Sequence, residues 1–552
     1  MAHVIFIGLD YSTQQLKAVL TDSNCCLVQE EAVIFDRDLS NYNTISGVIR
    51  NGSEVFTPTL LWVEATELIL KRLKDRHVDL SHVKAISGCG QQHGSVYWRK
   101  PLVLSTKSED DLKTQLKESF SRPNSPVWMD ASSSKQCIEL EERLGGPLIL
   151  AQKIGTKVFS RFTCPIILRI KELEPEVYDE TAKISLVSSF AASLWTGHLV
   201  PFDYADACGT GLFSLSQSKL DQDVCKNIDE NLQQKIDAPV PSHTIVGNVS
   251  PYIHKKYGIP ATCKVVAFTG DNPSCVAGLL LKKGEICLSL GTSDTLFFRR
   301  TGLPNQTKET LGIFVMTDPI EEGTYISLIC TRNGALVRDH FCREYANGDW
   351  NRFSELLRSS PFGNYGNLGL FLDQPEILPE NLQGRFLVDM EDRPIGSGFG
   401  DPKATFSRAD ITIRALIEGQ LVRKRVYLAR MGVIANDVKR LIVTGGGSRN
   451  QEILDIAAGV FGADVYTVKS PNSAALGSAF RAKHALVMDA AESTNKPTFF
   501  DIIKCPHSRI LASKRPPDSI VQIFDQMAER FKKLEQMALK VVANVTAKVA
   551  DT

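Results

Sequence analysis

Two short stretches of this sequence set polar side chains on lightly covered backbone. In "VVAFTGDNPSCVAG" an apolar run delivers Asp271 and Asn272 to its end, Pro273 stops it, and small residues begin a helix. A carboxylate at a strand end is placed to take a proton from a substrate hydroxyl. The same position also suits the N-cap of the following helix. In "SGCGQQHGSVYW" Gly88, Gly90 and Gly94 bracket Gln91, Gln92 and His93. Three hydrogen-bonding side chains on bare backbone suit a polyol, although a single His in a turn also serves packing.

Two further stretches share one outline. "VIFIGLDYSTQQLKAVLTD" (Val4 to Asp22) and "EICLSLGTSDTLFF" (Glu285 to Phe298) are each strand, small hydroxylated turn, strand. Turns crowded with Ser, Thr and Gly expose N–H groups and hydroxyls that suit phosphate oxygens. An acid at the strand end, Asp10, suits a hydrated magnesium ion, which prefers oxygen ligands and keeps several waters. An ordinary polar β-turn has the same composition, so the repetition carries more than either copy. "LIVTGGGSRN" is a strand, a glycine loop and a helix start, where Gly445–Gly447 admit a nucleotide to the backbone or simply make a tight turn. It is not the dinucleotide fingerprint, since Asn450 stands where the last glycine belongs, and the chain has no GxxxxGK[ST] phosphate loop.

Strand-like and helix-like patterns alternate throughout, which predicts an α/β architecture. Phe56 to Arg76 reads as an amphipathic helix and Val83 to Gly90 as a strand. "DASSSKQCIELEERLGG" reads as a helix entered at Asp130 and closed by Gly145, and "CKVVAFTGD" as one buried strand. "ITIRALIEGQLVRKRVYLARMG" reads as a long helix with a basic outer face, and the last long helix as a packing element. The repeated hairpin suggests two lobes, residues 1–279 and 280–552, with the active site in the cleft between them.

Composition excludes several classes. Lys+Arg and Asp+Glu both count 63, so no net charge draws the chain to nucleic acid or an anionic membrane. Thirteen cysteines include no CxxC pair, which points to reduced thiols in the cytoplasm rather than a disulfide framework. No apolar stretch approaches the ~18 residues of a membrane span.

Long matches in order along the chain, "STQQLK", "SGCGQQHGSVYW", "PVWMD", "ISLVSSFAASL", "KVVAFTGDNP", "SLGTSDTLFF", "GNLG" and "RALIEGQ", resemble the FGGY carbohydrate kinases. That resemblance implies two actin-like (ribonuclease H-like) ATPase lobes with a cleft between them, and ATP-dependent phosphorylation of a ketopentose. Another sugar or polyol, or a nucleotide-dependent binding protein on the same fold, is the alternative. It implies that Asp271 is catalytic base and sugar ligand, with Asn272, His93 and Arg161 also on the sugar. Asp10, Ser12, Thr13, Thr292, Trp350, Gly446, Gly447 and Asn450 are implied on the nucleotide side, Asp10 reaching Mg2+ through water. The implied partners are a small sugar and ATP, without nucleic acid or membrane, in a monomer or homodimer. Two departures stand out. Cys164, Pro165 and Ile166 replace the family's usual residues after Arg-Phe-Thr, where proline is expected to reshape a turn and alter the reach of Arg161. Gly447 replaces the more usual alanine.

Overall fold

Ile5–Tyr11 (β1) is buried at every position, as befits an interior strand covered on both faces. The computed structural model describes residues 4–100, 110–395, 399–434, 437–468, 472–491, 496–505 and 509–550. β1 pairs antiparallel with Gln15–Thr21 (β2), which pairs antiparallel with Leu27–Ile34 (β3). On its other side β1 runs parallel to Val83–Gly90 (β4). Ile245–Asn248 (β5) and Lys264–Val266 (β6) complete the order β5-β6-β4-β1-β2-β3, with the short piece Thr269–Gly270 continuing along β4.

The second sheet repeats this plan. Glu285–Leu290 (β7) pairs antiparallel with Asp294–Thr301 (β8), while Phe314–Thr317 (β9) and Thr324–Thr331 (β10) extend that side. Arg440–Thr444 (β11) runs parallel to β7, followed by Asp464–Val468 (β12) and Arg509–Ser513 (β13). In both sheets the hairpin's first strand has a parallel neighbour, and the far-edge strand (β5 or β13) is antiparallel to the strand beside it. A core cluster rich in tryptophan (Trp62, Trp98, Trp195) fills the first unit, and a larger one runs through the second sheet.

The two units interlock through two helices, Asp271–Gly278 and Ser473–Ala490. A Cβ at Gly278 would fall 1.8 Å from the Ser473 carbonyl oxygen, and one at Gly477 would fall 1.9 Å from that of Ser274. The second helix also lies against β1, where a Cβ at Gly8 would fall 1.9 Å from the Ala475 carbonyl oxygen. Its buried Arg481 donates to the carbonyls of Ser242 (2.7 Å) and Ala267 (2.8 Å) in the first unit.

Several sequence expectations are corrected. The predicted Phe56–Arg76 helix is Thr59–Asp75, because Glu54–Pro58 pairs as a strand with Asn124–Pro126. Asp130 does not cap the next helix, which is Ser134–Arg143 with Ser133 at its N-cap. Its carboxylate instead accepts from the N–H groups of Val55 and Ser132. "CKVVAFTGD" breaks into two strand pieces, since the Ala267 N–H turns to the Thr244 carbonyl. The "basic outer face" of the Ala409–Arg430 helix is interior: Arg414, Arg423, Lys424 and Arg425 are all buried. Buried charges survive only when paired or hydrogen-bonded, and Arg414 donates to the Leu357 and Ser360 carbonyls. Arg423 donates to Glu376 (2.9 Å), Lys424 to Asp294 (2.9 Å), and Arg425 to Asp525 and the Val460 carbonyl. The final helix, Asp518–Ala550, packs as expected, burying Phe524, Met527, Phe531 and Leu534.

Gly477→Ala is expected to force the two crossing helices apart and cost about 1–3 kcal/mol, the usual cost of overpacking. Denaturant unfolding checks this, and an unchanged midpoint contradicts the close crossing.

Candidate active site

The first hairpin turn follows directly from Asp10. Asp10 is buried, its Oδ2 accepts from Ser12 Oγ at 2.6 Å, and the Cys89 thiol on β4 lies 3.5 Å from Oδ1. Burial raises its carboxyl above the ordinary range, against the opposing pull of Ser12, Cys89 and the Lys17 ammonium. Thr13 Oγ1 accepts from Trp128 Nε1 at 2.9 Å, which pins the turn to the segment after Pro126. Thr292 stands exposed in the matching turn of the second sheet, between β7 and β8.

Asp271 opens the Asp271–Gly278 helix, and the helix N-cap is Gly270, so Asp271 is not the cap. Its Oδ1 accepts from the N–H of Asn272 at 2.8 Å and from Asn272 Nδ2 at 3.0 Å. Burial, with the negative charge of Asp10 added, pushes the Asp271 carboxyl up to about 7. The charge of Asp10, at the end of β1, thus disfavours charge on Asp271.

His93 adopts a positive φ of 71°, held by its surroundings rather than by glycine freedom. Its Nδ1 lies 2.7 Å from the Gly209 carbonyl, and its ring stacks on Phe162 with centroids 4.7 Å apart. A carbonyl partner requires the proton on Nδ1, which leaves Nε2 as an acceptor for a hydroxyl. Burial and the nearby Arg161 charge push this imidazole down to about 3, so it is neutral at physiological pH. The Arg161 guanidinium lies over Phe159, 4.2 Å from the ring centroid, with no hydrogen bond or ion pair to a described residue. The segment after it is not a reshaped turn: Thr163–Leu173 is a helix with Pro165 in its first turn, where no intrahelical N–H bond is lost. Arg161 therefore stays beside His93.

Gln91 and Gln92, grouped in the sequence with His93 as a set suited to a polyol, lie beside it here. Gln91 is buried with neither amide atom hydrogen-bonded to a described residue, and Gln92 Oε1 accepts from Asn272 Nδ2 at 3.0 Å. Asp206 was missed. It lies on the short Tyr204–Ala207 helix, accepts from Ser188 Oγ at 2.5 Å, and is buried close to Asp203 and Asp271. The stretch "YADACGT" offers no spacing that marks it.

On the other side, a cavity of about 710 Å³ brings together Trp350, Ser354, Gly446, Gly447 and Asn450. A Cβ at Gly446 would meet nothing within 4 Å, whereas one at Gly447 would fall 2.7 Å from Leu290 Cβ. The glycine in place of alanine is therefore matched to a close approach of β7. Trp350 is 39% exposed, its ring 5.0 Å from Phe353, so one face is open. Asn450 is already committed: Oδ1 caps the Gln451–Phe461 helix at the Ile453 N–H, and Nδ2 donates to Ser354 Oγ at 2.9 Å.

Two sheets of one plan, each headed by a hairpin with a small-residue turn, define an actin-like, two-lobed ATPase fold. Residues 5–278 match the N-terminal domain, and 373–486 the C-terminal domain, of the FGGY family of carbohydrate kinases. The mouse protein named xylulose kinase is 39% identical over 97% of this chain and 94% of its own length. The rat protein of that name is 38% identical over 97% of each. The crystal structure of xylulose kinase from Rhodospirillum rubrum superposes with a TM-score of 0.79 at 16% identity, covering 97% of this chain and 99% of that one. The chain belongs to the FGGY family of carbohydrate kinases.

The raised Asp271 has a stability consequence. An unfolded Asp releases its proton near ~3.9, so between there and about 7 the folded chain holds a proton that the unfolded chain has lost. Stability is unaffected below that window and falls as pH rises through it. Asp271→Asn should therefore raise Tm relative to the parent at about pH 8 and change it little at about pH 4. Scanning calorimetry decides, and a lower Tm for the variant at the higher pH contradicts the raised acid.

Proposed function

We propose that this protein is an ATP-dependent xylulose kinase converting D-xylulose to D-xylulose 5-phosphate in the cytoplasm, as a monomer or homodimer. The observation that carries this reading is the 39% identity to a protein named xylulose kinase across 97% of the chain, so that sugar-side and nucleotide-side motifs match together. The thirteen free cysteines support a reducing compartment. Residues 1–279 form the sugar-binding lobe and 280–552 the nucleotide-binding lobe, with the Ser473–Ala490 helix of the latter seated on the sheet of the former.

Asp271 is the general base. It takes the proton of the primary hydroxyl as that oxygen attacks the γ-phosphorus, and a carboxyl titrating near neutrality suits that transfer. Neutral His93 offers Nε2 to a sugar hydroxyl, Arg161 adds donors, Asn272 offers its amide oxygen as an acceptor, and the orphaned Gln91 amide is the kind of buried polar group a polyol completes. Ser12, Thr13 and Thr292 line the phosphates from both lobes. Trp350, Gly446, Gly447 and Asn450 shape the adenosine side, Asn450 through its cap on the loop. Among the described residues no three His, Cys, Asp or Glu side chains cluster as a metal cage, which suits an ion held largely by water and phosphate, with Asp10 as its nearest carboxylate. Bound magnesium supplies charge neutralisation at the transferring phosphate.

A coupled assay of ADP release over ketoses and polyols is expected to give the highest kcat/KM with D-xylulose, and a preference for ribulose or glycerol overturns the substrate assignment. Asp271→Asn should lower turnover by roughly 10²–10⁴-fold while nucleotide binding persists. In the parent, kcat should fall about tenfold per pH unit below an acid limb near 7. A flat profile between about pH 5 and 8 contradicts the base. His93→Ala and Arg161→Ala should raise KM for sugar by roughly three- to a hundredfold and leave KM for ATP within twofold.

A further inference from the structure

Gln92 precedes His93, and its side chain is almost wholly buried between two elements of the sugar side. Asn272 Nδ2 donates one hydrogen to Gln92 Oε1 and one to Asp271 Oδ1, each at 3.0 Å. An amide NH2 has two hydrogens, so both are spent and Asn272 Oδ1 remains as an acceptor. At the far end of the same side chain, Gln92 Nε2 and Asp206 Oδ1 border one small space: a Cβ at Gly270 would meet each of them at 2.8 Å. Asp206 is itself fixed, through Ser188 Oγ on its Oδ2 at 2.5 Å and through its N–H on Asp203 Oδ1 at 2.9 Å.

This order has a directional consequence. A glutamine amide has an accepting end and a donating end, and only an acceptor opposite Nε2 holds it one way round. Reversed, Gln92 would turn its NH2 towards the NH2 of Asn272, and Asn272 would lose its reason to face Asp271. The carboxylate of Asp206 is the acceptor that faces Nε2, and in this structure both Gln92 Nε2 and Asp206 Oδ1 lack a hydrogen-bond partner among the described residues.

We propose that Asp206 and Gln92 are positioning residues for the transfer: Asp206 orients the Gln92 amide, which orients the Asn272 amide, which holds the Asp271 carboxylate in line with the substrate hydroxyl. The relay rests on the reading of Asp271 as base, and neither Asp206 nor Gln92 touches the reacting atoms. It also sets what the sugar meets, since a locked Asn272 presents an oxygen, and a released one presents either end.

The test reads pH profiles rather than activity alone. Gln92→Leu should lower kcat about tenfold, raise KM for D-xylulose, leave KM for ATP unchanged, and move the acid limb of kcat to higher pH, because Asp271 loses an oriented donor. Asp206→Leu should do the same, while Asp206→Asn, which keeps an accepting oxygen, should hold the limb where the parent has it. Parent-like kcat and acid limb in Gln92→Leu overturn the relay, as do equal limb shifts in Asp206→Asn and Asp206→Leu. If Gln92→Leu does not fold, judged by its melting curve, the two Asp206 variants decide alone. Asp271→Asn is assayed alongside: if it is inactive while the relay variants match the parent, the relay alone fails. Substantial turnover in Asp271→Asn removes the base and the relay together.

Discussion

Backbone touches backbone where the Asp271–Gly278 and Ser473–Ala490 helices cross, and the rest of the site is placed by that contact. Gly278 and Gly477 are each opposed to a carbonyl oxygen of the other helix at a distance no side chain would permit. Ser274, buried at the crossing, donates to the Ala474 carbonyl at 2.7 Å and lies 3.0 Å from Ser478 Oγ. The first helix begins with Asp271, and the second lies on β1, which ends at Asp10 and Tyr11. One close crossing therefore fixes both the burial that pushes the Asp271 carboxyl up and its separation from Asp10, whose charge adds to that push. A looser crossing would change the chemistry as well as the packing.

Charge in the interior is handled in two opposite ways. Asp294 is as buried as any acid in the protein, yet Lys424 and a two-pronged Arg338 hold its carboxyl below the ordinary range despite burial. It is a fixed anion that ties the Ala409–Arg430 helix to the second hairpin. Asp271 has no such cation: it has amide donors on its carboxylate and the charge of Asp10 nearby, so its carboxyl is pushed up instead. The same residue type is held charged or left able to take a proton according to whether a cation shares its pocket.

Much of this was legible in the sequence where a signal is local. Val83–Gly90 reads as a strand and forms one; the repeated hairpins do head two sheets of one plan; Trp350 and the glycine loop do line one cavity. What was lost depends on partners far along the chain. The charges of the Ala409–Arg430 helix read as a solvated face because Asp294 and Glu376, which neutralise Lys424 and Arg423, come from elsewhere. Asp206 was invisible for the same reason: the Ser188 hydroxyl on its carboxylate and the Gln92 amide beside it come from elsewhere in the chain. Asn450 was read from its motif as a ligand residue, and what the motif did not show is that its side chain also caps the Gln451–Phe461 helix.

The seat of the Ser473–Ala490 helix on β1 also orders events during synthesis. Gly8 and the Ala475 carbonyl meet across about 470 residues of chain. At ~5–20 residues per second, a ribosome needs roughly 25–95 s to supply the second partner after the first has emerged. For that interval the nascent first sheet lacks the helix that covers β1 and the guanidinium of Arg481 that satisfies the Ser242 and Ala267 carbonyls. The first lobe therefore reaches its final packing only after the second is nearly complete.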